Sequence, residues 1–264
     1  MLKPKDITNF QAKVLDRYQE NKRDLPWRDS DNSYHVLVSE VMSQQTQISR
    51  VIPKYHKFLE TLPQYEDLAH TDKPTLLTLR SGLGYNNRAL RLQWAARVIH
   101  EEYWGILPED EKSLITLPGI GKYTAHALLA FVYNQEVPVL DINIRRVICH
   151  SFNLNPELKD RELRNIAYSL IPPGQSKDWH NALMDYGALV LTSKITWIKS
   201  KPQSKFKGSR RRVSGSVLKK LVSLWAQDIS ALKKEFPHEE FDNIIEKMIN
   251  DKLVHKDENK LVID

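Results

Sequence analysis

Apolar residues recur at helical spacing along most of this chain, and this recurrence constrains its fold more than any other feature. Phe10, Val14, Leu15 and Tyr18, for example, share one face of a helix. Strand signals are few, and the connections are short and often contain Gly or Pro, as in GLGY, PGIG, NLNP and PPGQ. Because short helices joined in this way pack against one another at steep angles, the sequence predicts an all-α body.

The periodicity also predicts where individual helices lie. In the first 195 residues we expect one helix ending near Leu117 and further helices near 34–46, 51–59, 74–79, 87–102, 122–133, 142–152, 160–171 and 178–192.

The composition changes after about residue 195. The stretch Lys199–Lys220 holds nine Lys or Arg and no acid, which predicts a basic linker over 199–213. In residues 214–264, helical spacing at 217–224, 229–236 and 240–251 is followed by LVHKDENKLVID, which predicts two short strands around an Asp-Glu-Asn turn. Three helices and a hairpin are the order of a winged-helix module; a small helical cap on the main domain is the alternative.

Composition limits the classes of function. The 264 residues carry 39 Lys+Arg against 33 Asp+Glu, a net charge of +6, which favours a polyanionic partner weakly. Cys149 is the one cysteine, so no disulfide, thiolate zinc site or cysteine-ligated iron–sulfur cluster can form within the chain. The charged N-terminus does not resemble a signal peptide, and no apolar run approaches the roughly 20 residues that span a membrane. We therefore expect a soluble, intracellular protein.

The stretch LPGIGKYTAHALLAF combines a tight turn with the start of a helix. Gly119 and Gly121 can take positive φ and let another backbone approach closely. The helix that begins near Lys122 directs its first amides and the positive end of its dipole toward this turn, which is a favourable place for an anion. A helical hairpin of this kind can grip a DNA backbone without reading its sequence, although an ordinary helix–helix turn is the alternative.

This hairpin is one of several motifs that occur in order: NKRDLPWR, YHVLVSEVMSQQTQISRVIPKY, SGLGYNNRA, LPGIGKYTAHALLAF, VPVLDINIRRV and WHNALMDYGALV. Over about residues 10–195 they resemble the helix-hairpin-helix base-excision DNA glycosylases, in particular the MutY-type adenine glycosylases. The resemblance implies a two-lobed all-α fold, with a six-helix barrel lobe over about 30–136 and a second lobe from 1–29 and 137–198. It also implies removal of adenine opposite 8-oxoguanine or G from double-stranded DNA.

Cleaving an N-glycosidic bond needs a better leaving group and negative charge beside the developing sugar cation. Asp141 precedes a predicted helix, where an N-cap is its ordinary role. The resemblance implies that Asp141 stabilises the anomeric carbon and that Asn143 hydrogen-bonds to it. Glu40 lies among apolar neighbours, where desolvation would favour its protonated, general-acid form; a buried salt bridge is the alternative. The resemblance implies that Glu40 protonates adenine N7.

Tyr123 stands where lyase-type relatives carry a nucleophilic lysine. Because tyrosine cannot form a Schiff base, we expect a monofunctional glycosylase that leaves the abasic site uncut.

The resemblance also assigns residues that hold the DNA. The amides of Gln44 and Gln45, with Thr46, would intercalate and contact the base opposite the adenine, together with Leu83 and Tyr85; a solvated helix end is the alternative for the amide cluster. The pocket of the flipped base would be formed by Arg23, Leu25, Trp27, Arg28, Asn181 and Met184. In the hairpin, backbone contacts would come from Gly119, Gly121 and Lys122. The resemblance does not cover the basic stretch Lys199–Arg212; from its charge we expect Lys205, Lys207, Arg210, Arg211 and Arg212 to substitute for the DNA contacts of the cluster that this family usually carries.

Two features depart from the family pattern. Leu191 occupies the position of the first cluster cysteine, so we expect no iron–sulfur cluster, no cofactor and no metal bound by side chains; the resemblance allows a monovalent cation at the hairpin carbonyls. We also expect no counterpart of the C-terminal domain that recognises 8-oxoguanine in MutY-type enzymes.

Two other functions stay open: a thymine/uracil mismatch glycosylase of the same superfamily, and a non-catalytic DNA-binding protein. In every case we expect a monomer that acts on double-stranded DNA in the nucleoid-associated cytoplasm and does not bind membranes.

Overall fold

The computed structural model describes residues 2–83, 86–191 and 208–263, so Tyr85, Lys205 and Lys207 lie outside the described residues. Up to Leu191 these residues form eleven helices: α1 Pro4–Asn21, α2 Ser33–Ser43, α3 Ile48–Thr61, α4 Tyr65–His70, α5 Lys73–Leu79, α6 Asn87–Glu102, α7 Glu111–Thr116, α8 Lys122–Tyr133, α9 Ile142–Ser151, α10 Asp160–Ser169 and α11 Ser176–Leu189. The all-α prediction for this part is confirmed.

The bounds of α6 and α8 match the predicted 87–102 and 122–133, because strong periodicity ends there at clear turn signals. Helix α4 was not predicted. Its six residues are too few for periodicity to show, and a capping box between Gln64 and Asp67 begins it instead.

The C-terminal residues form α12 Arg210–Leu224, β1 Ala226–Asp228, α13 Ile229–Glu235, α14 Phe241–Asn250, β2 His255–Asp257 and β3 Lys260–Val262. The predicted hairpin is confirmed, since β2 and β3 pair antiparallel with Asp257 opposite Lys260. The unpredicted strand β1 joins β3 on its other side, giving the sheet order β1-β3-β2. The winged-helix assignment stays a prediction.

The basic linker over 199–213 stays a prediction, and α12 overlaps its last residues. Residues Arg210–Arg212, assigned to the linker, form the first turn of α12. The hydroxyl of Ser209 accepts a hydrogen bond from the Arg212 amide at 3.3 Å and so caps this helix. The buried face of α12 begins at Val213, one turn before the predicted start.

The described chain divides into two compact units. The first unit contains residues 2–36, 108–116 and 120–191, and the second contains 37–83, 86–107, 117–119 and 208–263. The hairpin helices α7 and α8 group with the first unit, because α8 packs against α11. The predicted lobes had placed both helices with residues 30–107; those lobe boundaries stay a prediction.

The core of the first unit lies between α1, α9 and α11. Trp179 is fully buried there, and its ring meets the edge of Phe10 at a centroid distance of 5.7 Å. Helix α11 approaches α9 closely at Gly187. A Cβ at this glycine would lie 3.1 Å from Cβ of Asn143 and 3.2 Å from Cγ2 of Val147.

In the second unit, α4 packs along α6, while α12 packs on α5 and α14. The Nζ of Lys252 lies 5.5 Å from the ring centroid of Trp94, a cation–π contact between the C-terminal segment and α6. The C-terminal residues therefore share one compact unit with α3 to α6.

We predict that Gly187→Ala lowers the free energy of unfolding by about 1–3 kcal/mol, because the added methyl group overpacks the contact between α9 and α11. Urea denaturation would measure this change. The matched control is Gly215→Ala in α12, where a Cβ meets nothing within 4 Å. Helix propensity should raise the stability of that variant by roughly 0.5–1 kcal/mol. Equal effects of the two substitutions would contradict the packing argument.

Candidate active site

Asp141 is the N-cap of α9, and both of its carboxylate oxygens have partners. The Ile144 amide donates to Oδ1 at 2.7 Å, and Nδ2 of Asn143 donates to Oδ2 at 2.8 Å. The capping role and the contact with Asn143 that the resemblance implied therefore coexist. The two hydrogen bonds fix the orientation of a half-buried carboxylate.

Burial raises the pKa of Asp141 above its ordinary value, although the hydrogen bonds from Ile144 and Asn143 and the charge of Arg146 act in the opposite direction. The ionised carboxylate is therefore less well stabilised than one in water. Such a group interacts strongly with positive charge that develops beside it.

Arg146 is a residue of this site that sequence reasoning missed. It is buried, and its Nη1 donates to Oδ1 of Asn143 at 3.1 Å, so the amide nitrogen of Asn143 turns toward Asp141. Its spacing was a usable signal: Arg146 lies three residues after Asn143, on the same helix face. The adjacent Arg145 turns away and donates to the carbonyl of Pro156.

In the hairpin turn between α7 and α8, the two glycines behave differently. Gly119 has φ +80°, as expected, and a Cβ there would lie 2.8 Å from Cβ of Arg91. Gly121 has φ −93° and caps α8 in an extended conformation, so the expectation of positive φ is wrong at this position. An extended backbone is the ordinary geometry of an N-cap.

Lys122 is the first residue of α8, and its Nζ lies 3.2 Å from Oε1 of Glu111. The second oxygen of Glu111 lies 2.9 Å from Nε2 of the buried His126, whose Nδ1 is 3.0 Å from the carbonyl of Pro138. Hydrogen bonds from His126 and then Lys122 lower the pKa of Glu111. Because an exposed ion pair is weak, the pairing leaves Lys122 able to exchange Glu111 for a phosphate.

Tyr123 and Met184 pack against the same buried cluster, formed by Ala127, Ala130 and Val139. The structure thus brings the residue at the lysine position together with one predicted pocket residue. Asn181 is buried, and its Nδ2 donates to the carbonyl of Lys177 one helical turn earlier at 3.1 Å.

The predicted pocket arginines make a buried ion cluster with Asp185. Arg28 donates to Asp185 through both terminal nitrogens at 2.7 and 2.8 Å, and Nε of Arg23 lies 2.5 Å from Oδ1. Both arginines therefore have a carboxylate partner that the sequence analysis did not identify. Of the other predicted residues in this segment, Leu25 is buried and Trp27 is half-buried.

The two segments predicted to contact the opposite base meet in the second unit. The hydroxyl of Thr46 lies 3.3 Å from the carbonyl of Leu83, and Nη2 of Arg50 donates to the carbonyl of Gly82 at 2.9 Å. Gln44 accepts from Arg88 through its own carbonyl. Gln45 is exposed at φ +55°, a left-handed conformation that residues other than glycine adopt rarely. Arg50 and Arg88, which join these segments, were not predicted.

Glu40 lies half-buried in the last two turns of α2, between the buried residues Ser39 and Val41. Arg210 pairs with Glu240 through Nε at 2.6 Å, so this predicted DNA contact has an intramolecular partner. Arg212 is exposed and Arg211 is half-buried.

Within the described residues, no three His, Cys, Asp or Glu side chains come close enough together to hold a metal ion. Leu191 packs into the core of the first unit at the position where the resemblance expects a cysteine. No helix in the described ranges combines the length and apolar composition that crossing a membrane requires.

Comparisons with known proteins show the family of the chain. Residues 38–173 match the family model described as HhH-GPD superfamily base excision DNA repair protein, and the chain belongs to this family. It is 39% identical over 200 residues to the adenine DNA glycosylase of Mus musculus. The aligned region covers 71% of this chain and 39% of the mouse protein. The chain spans less than two thirds of the length of the adenine DNA glycosylases that it matches.

A relative of similar length carries another name. The thymine/uracil-DNA glycosylase of Methanothermobacter thermautotrophicus is 31% identical over 196 residues, which are 70% of this chain and 88% of that protein. Among solved structures, a thermostable thymine-DNA glycosylase superposes with a TM-score of 0.65 at 30% identity, covering 71% of this chain and 88% of the other.

We predict that Asp185→Asn destabilises the protein by about 3–5 kcal/mol at pH 7, because it leaves Arg28 buried without its counter-charge. Although burial opposes it, hydrogen bonding from Arg28 and Arg23 keeps the pKa of Asp185 below its ordinary value. The stabilisation is therefore complete above the pKa of an unfolded aspartate, about 4, and is lost as pH falls through the lower folded pKa.

Urea denaturation of both proteins at pH 7 and at pH 3 would measure this difference. The control is Asp31→Asn, because Asp31 is exposed and pairs with Lys177 at 3.1 Å on the surface. A stability difference between wild type and Asp185→Asn that does not change with pH would show that the charge of Asp185 is not what stabilises the unit.

Proposed function

We propose that the chain is a monofunctional DNA glycosylase that hydrolyses the N-glycosidic bond of a mispaired adenine, opposite 8-oxoguanine or G, in double-stranded DNA. The observation that carries the proposal is the arrangement of Asp141, Asn143 and Arg146. It presents a carboxylate with a defined orientation and an incompletely stabilised charge. The choice of adenine rests on relatives named adenine DNA glycosylase at 35–39% identity.

In the proposed reaction, Asp141 stabilises the positive charge that develops on the sugar as the base departs. Its carboxylate is held by Ile144 and Asn143 before the substrate arrives, so little reorganisation is needed in the transition state. Glu40 donates the proton that makes adenine a better leaving group.

Tyr123 supports the absence of lyase activity. A lyase opens the sugar through an amine nucleophile, and a tyrosine hydroxyl cannot form the Schiff base that this requires. Lys122, the adjacent amine, lies beside Glu111.

The alternative activity is removal of thymine or uracil. It is favoured by the thymine/uracil-DNA glycosylase relative, because this chain covers 88% of that protein. Glu40 supports adenine instead, since a pyrimidine leaves as a stabilised anion and needs less protonation.

We propose that catalysis needs no metal held by side chains and no iron–sulfur cluster, because cluster ligation requires thiolates and the chain has one cysteine. A monovalent cation at the hairpin carbonyls is compatible with this proposal. The proposed partner is duplex DNA with a mismatched or damaged pair, bound by a monomer.

We predict that the wild-type protein releases adenine from duplexes with A opposite 8-oxoguanine or G, and that strand breaks appear only after alkali. Asp141→Asn should slow release by about 100-fold or more while duplex binding is kept, since asparagine also caps helices well. Single-turnover assays would include T opposite G and U opposite G. Release of thymine or uracil alone would show that the chain has the alternative activity. Full activity of Asp141→Asn would refute the proposed mechanism.

We also predict that Asn143→Leu moves the acidic limb of the pH–rate profile to higher pH. The amide of Asn143 lowers the pKa of Asp141, so its loss raises that pKa, and the ionised form then disappears at higher pH. Single-turnover rates between pH 4 and 8 would measure the limb. The control is Asn155→Ala, in an exposed turn. If Asn143→Leu lowers the rate but leaves the acidic limb of the pH–rate profile at the same pH, Asn143 does not act by lowering the pKa of Asp141.

A further inference from the structure

Two buried histidines contact the peptide group that joins Pro138 to Val139. His126 of α8 and His180 of α11 are 5% and 2% exposed. Nδ1 of His126 lies 3.0 Å from the carbonyl oxygen of Pro138. The amide of Val139 donates to Nε2 of His180 at 3.1 Å. Because the peptide group is planar, contacts at its oxygen and at its nitrogen together fix the orientation of the whole plane.

His180 can accept a hydrogen bond from the Val139 amide only as a neutral ring. Its Nδ1 lies 2.7 Å from the carbonyl oxygen of Ser176 and therefore carries the ring proton, which leaves Nε2 as an acceptor. Burial lowers the pKa of His180 to about 4, although the hydrogen bond to Ser176 acts in the opposite direction. The acceptor is therefore present throughout the neutral pH range.

His126 supplies the donor for the same peptide. A carbonyl oxygen only accepts, so the 3.0 Å contact with Pro138 requires a proton on Nδ1. Nη1 of Arg164 also faces Nδ1, but from 3.5 Å, the limit of a hydrogen bond, so the shorter contact with Pro138 decides. Oε2 of Glu111 lies 2.9 Å from Nε2 and holds the ring on its other side. The two histidines thus present one donor and one acceptor to one peptide group.

This peptide group lies just before Asp141 in the chain, with only Leu140 between them. Residues 134–141 form neither helix nor strand, so a buried peptide group here depends on side-chain partners instead of a regular ladder. On the other side of Asp141, Ile144 and Asn143 hold the carboxylate itself. The histidines therefore set where the backbone places Asp141, and α9 sets how its carboxylate is turned.

We propose that His126 and His180 are positioning residues that clamp the peptide 138–139 and so place the carboxylate of Asp141 against the sugar of the target nucleotide. This role rests on the proposed function, in which Asp141 stabilises the sugar cation. Histidines that only satisfied a buried peptide group would affect folding alone. The clamp also affects the chemical step, because displacing a reacting group by about 1 Å can cost roughly 100-fold in rate.

The first test compares His180→Phe, which keeps a ring and removes the acceptor, with His180→Gln, whose side-chain oxygen can still accept from Val139. In single-turnover assays with enzyme in excess, we expect His180→Phe to slow base release by roughly 10- to 100-fold without weakening duplex affinity. His180→Gln should recover most of the rate. The control is His150→Phe, because His150 is exposed on α9. A lower melting temperature of His180→Phe with an unchanged release rate would overturn the proposal.

The second test uses the other histidine. His126→Phe should slow release by a similar factor, while His126→Asn, whose amide can still donate to Pro138, should keep more of the rate. Because both histidines act through one peptide group, combining His126→Phe with His180→Phe should slow release by much less than the product of the two single effects. Multiplicative effects would refute the clamp. If His180→Phe does not fold, the comparison of His126→Phe with His126→Asn decides, and equal rates in these two variants contradict the proposal.

Amide hydrogen exchange, followed by NMR, tests the clamp without any base release. His180→Phe should speed exchange of the Val139 amide, its direct partner, and also of the Ile144 amide, which donates to Asp141. Faster exchange at Val139 alone would show that the clamp does not reach Asp141, and the proposal would be wrong. If the wild type releases no base from any mismatched duplex, the proposed function fails, and the exchange measurement alone decides whether the clamp exists.

Discussion

The close approach of α9 and α11 at Gly187 is the contact on which the candidate active site depends. Because glycine has no side chain, Asn143 and Val147 of α9 reach the backbone of α11, and this sets the position of the N-terminus of α9. Asp141 caps that terminus. The same helix α11 carries Asp185, which holds the segment of Arg23 and Arg28, and Met184, which packs beside the cluster that Tyr123 contacts. One helix therefore positions the carboxylate, the ion cluster and part of the predicted pocket.

Three buried arginines show how the same residue type serves different purposes. Arg28 is neutralised by the carboxylate of Asp185, and its role is structural. Arg146 uses Asn143 to orient an amide toward Asp141 and so acts on the carboxylate through another residue. Arg80 is almost fully buried, and among the residues that the structure describes its Nη1 has no hydrogen-bond partner. Natural folds usually pair buried charges, so Arg80 is the exception among the three.

Local features of the fold were predictable and long-range polar contacts were not. Periodicity located α6 and α8 because both helices are long and end at turn residues. It could not detect α4 or β1, which are too short to show a period. The contact of Arg28 with Asp185 joins residues 157 positions apart, and nothing in local spacing indicates such a pair. The roles of Asp141 and Asn143 were predicted from the family resemblance, because a resemblance assigns a role to each residue that matches a position of the family motif. Arg80 has an unusual environment that becomes visible only when its neighbours are assembled.

Asp141 is a half-buried charge that is incompletely compensated in the free protein. Under the proposed function, this carboxylate meets its counter-charge, the sugar cation, only on DNA. The low local dielectric that makes this charge costly without a partner also strengthens its attraction to one. The attraction of Asp141 develops only as the bond breaks, so it lowers the barrier to base release.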